Sequence, residues 1–147
     1  MNSSNASTGS ALFISTLNEI EALTKQFHRI PVGAFDEVYA LDGGSKDGTV
    51  EFFQKHGIKV IPGIKKGAIF NAGANSTQCE YLVFFAPDGN ENPEDIVPLL
   101  KKLQEGPDMV IASRFMKGSR NEEDDQFFKW RAWANQTFTL LVRFRWG

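Results

Sequence analysis

The chain has 147 residues, 41% of them hydrophobic and 23% charged, with 16 basic against 18 acidic side chains and a formal charge of −2. That is one domain's worth of chain around a single core, with too much apolar content for a disordered tail and no positive field to hold nucleic acid. The single cysteine, Cys79, excludes an internal disulfide and a cysteine-based zinc cage, and the apolar runs are far too short to cross a bilayer.

Residues 1–10 are small and polar after Met1, and read as a flexible arm. They lack the basic start and apolar stretch of a signal peptide, so the expected location is cytoplasmic. Residues 11–16 form a short, almost continuously apolar strand, the pattern of a parallel sheet covered on both faces. Thr16 or Asn18 would cap a helix over residues 19–27, with Ile20, Leu23 and Phe27 on one face. Residues 35–41 are a second strand, running into a loop at 42–49 too rich in glycine to be helix or strand. A helix over 50–56, a strand at 58–61, a helix over 68–77 and a buried strand at 81–85 follow. Pro93 opens a helix reaching Gln104, with Ile96, Leu99, Leu100 and Leu103 on one stripe. Residues 109–112 read as a fifth strand. Alternating strands and helices at this spacing predict an α/β domain over 11–147 with a parallel sheet, and no internal repeat is visible.

Ligands of such sheets bind beyond the carboxyl ends of the strands, and the polar residues gather there. After the second strand comes Asp42-Gly43-Gly44-Ser45-Lys46-Asp47-Gly48-Thr49. A carboxylate at that place accepts hydrogen bonds from a ribose or a base N–H, and the glycines let backbone approach a flat ligand. The competing reading is a turn whose carboxylates cap the next helix; it is preferred for Asp47, and ligand binding for Asp42. After the fourth strand, Asp88 and Asn90 offer oxygen ligands suited to Mg²⁺ or Mn²⁺ bridging phosphates. Taken alone, that segment reads better as a Pro-Asp-Gly turn leading to a helix N-terminus favoured by Glu94 and Asp95. Lys65, Lys66 and Gly67 before a helix suit a diphosphate, although loop lysines are usually only solvated.

Together, Thr16-Leu17-Asn18-Glu19, the 42–49 loop, Lys66-Gly67-Ala68 with Asn71 and Gly73, and Asp88 resemble the family 2 glycosyltransferases of the GT-A fold. Asn92-Pro93-Glu94-Asp95-Ile96 and Ala112-Ser113-Arg114-Phe115 are similar to their dolichyl- or polyprenyl-phosphate mannosyltransferase-like branch. The resemblance spans residues 12–143. It implies a Rossmann-like, mostly parallel sheet flanked by helices on both faces, and a chain ending before the C-terminal part that relatives add. It also implies an inverting transfer of a hexose from a GDP-mannose- or UDP-glucose-type donor to a polyprenyl phosphate or glycan.

Carried over by position, Leu17, Asn18, Glu19, Asp42, Gly43 and Ser45 would line the nucleotide pocket. Lys66, Gly67 and Asn71 would lie toward the diphosphate, and Asp88 matches the second aspartate of the family's Asp-x-Asp metal motif. Its first aspartate is replaced by Ala86 and the second acid of the nucleotide loop by Gly43, leaving Asn90 or Glu91 to compensate in a Mg²⁺ or Mn²⁺ site. Arg114 and Arg131 match arginines of the acceptor side and join Asp88 as the catalytic candidates. Lys117 and Arg120 are further candidates for an acceptor phosphate, since positive charge and positioning suffice when the attacking oxygen is already anionic. A hydroxyl acceptor would need a base from residues 122–125, a run that otherwise reads as a solvated loop.

Residues 127–146 interleave aromatic and basic side chains without an acid, which suits an anionic membrane face or a helix packed on the domain. The expected location thus extends to the cytoplasmic face of the membrane. The abundant phenylalanines leave open a homo-oligomer contact or an acceptor groove. The rival readings are a degenerate, non-catalytic nucleotide-sugar-binding domain and a nucleotidyltransferase, the latter opposed by the lack of a glycine-rich basic loop at residues 16–19.

Overall fold

A computed structural model describes residues 7–113, together with Thr137, Leu140 and Phe144. The chain divides into two compact units, Met1–Ala112 and Ser113–Gly147, where the sequence reads one domain over 11–147. In the second unit, Thr137, Leu140 and Phe144 are helical and Ser113 is in no regular element.

The first unit is built on β1 (Ser7–Thr16), β2 (Glu37–Asp42), β3 (Lys59–Ile61) and β4 (Cys79–Phe85), all parallel, in the order β3-β2-β1-β4. Central β1 is flanked on both edges, which is why residues 11–14 are apolar without alternation and fully buried. The helices are α1 (Ile20–Gln26), α2 (Thr49–Lys55), α3 (Ile69–Ala74) and α4 (Ile96–Gln104). On one sheet face, Leu12, Ile14, Ala40, Val83 and Phe85 pack with Leu23 of α1, Phe53 of α2, and Ile96 and Leu100 of α4. On the other, Ala11, Phe13, Tyr39 and Leu41 pack with Ile69 of α3 and with Leu82 and Phe84. Helices therefore cover both faces, as a GT-A-like sheet requires.

A row of rings crosses the second face in register. Phe84 stacks on Phe13 at 5.0 Å, Phe13 on Tyr39 at 5.4 Å, and the Lys59 ammonium lies 5.4 Å from the Tyr39 ring centre. Gly73 of α3 lies against this row. A Cβ there would fall 2.7 Å from Phe84 Cε1, so a side chain at 73 would displace the helix or the ring.

Three expectations are corrected. The arm does not reach residue 10, because β1 starts at Ser7. Ser7 and Ser10 pair with Cys79 and Tyr81, and the Ser10 amide and hydroxyl both donate to the Asp36 carboxylate, at 2.7 and 3.0 Å. These bonds order a polar strand start that has no apolar signal. The fifth strand is absent: residues 109–113 adopt no regular structure, and Met109 and Ile111 are 73% and 68% exposed. A strand exists only where its amides and carbonyls find a ladder partner, and within the first unit this segment joins none. Finally, neither Thr16 nor Asn18 caps α1 with its side chain. The partners of the α1 N-terminus come from another loop.

Candidate active site at the strand carboxyl ends

The strands end side by side at Thr16, Asp42 and Phe85, so the turn after β1 lies between the loop after β2 and the turn after β4. Asn18 has φ 58°, in the left-handed region that asparagine tolerates better than most side chains. It is held there from across the sheet: its amide donates to Ser45 Oγ, and its Oδ1 accepts from the Lys46 amide, both at 2.9 Å. The next two amides are held likewise. Glu19 N donates to Thr49 Oγ1 at 2.9 Å, and Ile20 N donates to Asp47 Oδ2 at 3.1 Å. Asp47 Oδ1 accepts from the amide and hydroxyl of Thr49, so one carboxylate closes the N-termini of α1 and α2 together. Desolvation opposes ionisation of Asp47, but the bonds from Thr49 and Ile20 outweigh it and hold the carboxyl below its ordinary value.

Asp42 is only 2% exposed. Its carboxylate accepts from Gly44 N at 2.8 Å, from Ser45 N, and from Ser45 Oγ. The geometry thus displays the turn-forming role that the sequence reading put second for Asp42. The capping role preferred for Asp47 is present and extends to a second helix. Leu17 is 56% exposed and lies over Gly43, where a Cβ would meet Leu17 Cδ1 at 3.3 Å. Thr16 turns a hydroxyl inward that has no hydrogen-bond partner.

The Ile64 amide donates to the Asp42 carbonyl at 2.9 Å, which docks the loop after β3 beside the end of β2. That loop carries Lys65, Lys66 and Gly67, all exposed, into a 3₁₀ turn ahead of α3. Asn71 is exposed on α3.

On the β4 side, Gln26 Nε2 donates to the Pro87 carbonyl at 2.7 Å, and Arg29 bonds Asn92 and Glu94 at 3.1 and 3.0 Å. Asp88 Oδ1 accepts from the Asn90 amide, and Glu91 Oε2 accepts from the Ala86 amide at 2.8 Å. Desolvation, then the negative charges of Asp88 and Asp47, raise the Glu19 carboxyl above the ordinary 4.5. Desolvation raises that of Glu91 too; its bond from Ala86 opposes this and the charge of Asp88 adds to it. Glu19, Asp47, Asp88 and Glu91 therefore share one electronegative field.

Among the described residues, no group of three or more histidine, cysteine, aspartate or glutamate side chains converges on one point. The donor set fits only a cation that arrives with phosphate oxygens of its own, held through Asp88. Arg114, Arg131, Lys117, Arg120 and the 122–125 run lie outside the described residues, as does all but three residues of 127–146. Among the described residues, no helix is long and apolar enough to cross a membrane. Sequence reading missed Thr49, Gln26 and Arg29 as supports of the site. The only local signal was the Asp47-Gly48-Thr49 cap pattern; its reach to α1 depends on β2 lying beside β1.

A parallel 3-2-1-4 sheet with acid-rich loops at its carboxyl edge is the architecture of a GT-A-like glycosyltransferase domain. A family model described as glycosyl transferase family 2 matches residues 12–145, and the chain belongs to that family. It is 34% identical over 103 residues to the glycosyltransferase AglJ of Haloferax volcanii, covering 68% of this chain and 34% of that protein. It is 31% identical over 122 residues to a dolichol-phosphate mannosyltransferase of Pyrococcus furiosus, covering 76% and 35% respectively. The chain thus spans about a third of the length of these curated relatives. The fold resembles glucosyl-3-phosphoglycerate synthase of Mycobacterium tuberculosis, solved with Mn²⁺, UDP and glucosyl-3-phosphoglycerate. The TM-score is 0.56 at 23% identity, over 67% of this chain and 40% of that one.

Proposed function

We propose that the chain carries the donor-binding part of an inverting hexosyltransferase. It would use a GDP-mannose- or UDP-glucose-type donor and a polyprenyl phosphate or glycan acceptor, in the making of a glycoconjugate. The observation that carries this reading is the meeting of the 17–20 turn, the 42–49 loop and Asp88 at one edge of the sheet, in a chain of family 2. The nucleoside would lie over Leu17 and the clasped loop, with Asp42 and Ser45 shaping the backbone that meets it. Lys66 and the Gly67 backbone, exposed on the docked β3 loop, would lie toward the diphosphate, where charge stabilises a departing nucleoside diphosphate. Asp88 would hold a Mg²⁺ or Mn²⁺ shared with the diphosphate, and the ion would supply charge neutralisation of the leaving group.

Arg114 and Arg131 are assigned to the acceptor phosphate because guanidinium forks match phosphate oxygens. Residues 127–146 are assigned to a lipid face for their aromatic and basic composition, and the reaction would then run at the cytoplasmic face of a membrane.

One observation favours a second reading, a nucleotide-sugar-binding domain without turnover. Ala86 offers no carboxylate to a cation, and Glu91 spends one of its oxygens on the Ala86 amide. Calorimetric titration with GDP-mannose, UDP-glucose and their nucleotides, with and without Mn²⁺, separates the two. Donor binding that tightens with Mn²⁺ and weakens in Asp88→Asn supports the transferase. Binding indifferent to both supports the second reading. No binding removes the donor-site assignment.

A further inference from the structure

The first three amides after Leu17, those of Asn18, Glu19 and Ile20, each donate to a different side chain of one loop: Ser45, Thr49 and Asp47. The loop is tied back by Asn18 Oδ1, which accepts from Lys46 N, and by Thr16 O, which accepts from Gly43 N at 2.9 Å. These amides cannot cradle a phosphate, since loop oxygens already occupy them. Their arrangement instead fixes one turn against another, with Glu19 carried on the first and Asp42 on the second.

Asp47 occupies the centre of this clasp. Its two oxygens divide between the helices: Oδ2 takes the Ile20 amide of α1, and Oδ1 takes the amide and hydroxyl of Thr49 at the start of α2. Thr49 passes the connection on, because the hydroxyl that donates to Asp47 also accepts from Glu19 N. Thr49 is fully buried, so water does not readily replace these bonds. The carboxylate has no counter-charge in this network and acts through oriented N–H and O–H groups alone.

We propose that Asp47 is a positioning residue of the nucleotide site: through Thr49 and Ile20 it makes the Leu17–Ile20 turn and the Asp42–Thr49 loop move as one body. The inference rests on the reading of this sheet edge as the donor site, and goes beyond it by assigning a coupling role to a residue that touches neither nucleotide nor cation. Opening of the clasp would let the Asn18 turn relax from its left-handed conformation and carry Glu19 and Leu17 out of register with Asp42.

The test uses the full chain with Asp47→Ala and Asp47→Asn, and reads amide hydrogen exchange alongside the affinity for UDP and GDP in the presence of Mn²⁺. In Asp47→Ala the amides of Asn18 and Glu19 should exchange faster together with those of Ile20 and Thr49, while Val83 in β4 stays protected. Nucleotide affinity should fall on the order of tenfold to a hundredfold, the scale of a site displaced by a fraction of an ångström or more. Asp47→Asn keeps one accepting oxygen and should lie between the two. Faster exchange at Ile20 and Thr49 alone, with Asn18, Glu19 and affinity unchanged, would overturn the proposal and leave Asp47 a local cap. If Asp47→Ala does not fold, Asp47→Asn and Ser45→Ala carry the same comparison, one at the centre of the clasp and one at the Asn18 contact. Failure of the wild-type chain to bind either nucleotide would overturn the donor reading and the positioning of it. Concerted or separate exchange would still decide whether the clasp moves as one.

Discussion

On the β2 side of the β1 carboxyl end, successive amides of one turn are each held by an oxygen from the neighbouring loop, and the carboxylates there are satisfied. On the β4 side, the turn after Phe85 is fastened by Gln26, Arg29 and bonds within the turn, and the Glu91 carboxyl is raised, chiefly by desolvation and in smaller part by the charge of Asp88. One side is preorganised by hydrogen bonds; the other presents exposed Asp88 beside the raised Glu91 carboxyl. The difference separates the tasks expected of a donor site: shape for the nucleoside, charge for the diphosphate and its metal.

The largest effect is expected at the centre of the ordered side. Asp42→Ala strips the acceptors from the Gly44 and Ser45 amides in a nearly closed site, and should cost about 3 kcal/mol of stability by the scale of buried bonds to a charged group, measured by denaturant unfolding. Asp88→Asn on the β4 side should leave stability within about 0.5 kcal/mol, the usual range for an exposed substitution. If Asp88 holds the cation as proposed, the same substitution should weaken Mn²⁺-dependent donor binding in calorimetry, since a ligating carboxylate is lost.

Acid titration should separate the raised carboxyls from the lowered ones by sign. Glu19 and Glu91 ionise less readily in the folded chain, so their unfavourable contribution disappears as pH falls from neutrality through their raised values toward 4.5. Asp36 and Asp47 are held below the ordinary 3.8, Asp36 by Ser10 and Asp47 by Thr49 and Ile20. Their contribution is present above 3.8 and is lost as pH falls through the lowered values. Stability followed from pH 7 downward should therefore hold or rise slightly before it drops, with Glu19→Gln removing part of the rise and Asp36→Asn part of the drop. The smallest effect is expected at Arg29→Ala, which breaks an exposed ion pair with Glu94 and should cost well under about 1 kcal/mol.

The strand order along the chain was legible because the buried strands are written as apolar runs, with β1 at residues 11–14 the plainest. The 42–49 and 86–92 loops were legible as the loops at the carboxyl edge of the sheet because glycine and acidic residues cluster there. The start of β1 was not, since Ser7 to Ser10 carry no apolar signal and are ordered by Asp36 and β4. Residues 109–112 carry a strand's composition without a strand's partner, and composition cannot report a missing ladder. The caps of α1 were misread for a related reason. A local cap is visible in sequence, whereas Asp47 reaches Ile20 only because the fold sets β2 against β1. The same fact hid the double role of Thr49.

The most direct test of the division between the two sides is amide NMR of the full chain during titration with GDP or UDP, first with Mg²⁺ and then with paramagnetic Mn²⁺. The account predicts shifts concentrated at residues 17–20 and 42–49 in the Mg²⁺ titration, and broadening centred on residues 86–91 when Mn²⁺ replaces it. Shifts spread along the opposite end of the sheet, near Glu37 and Thr77, or broadening that spares the Asp88 turn, would contradict it.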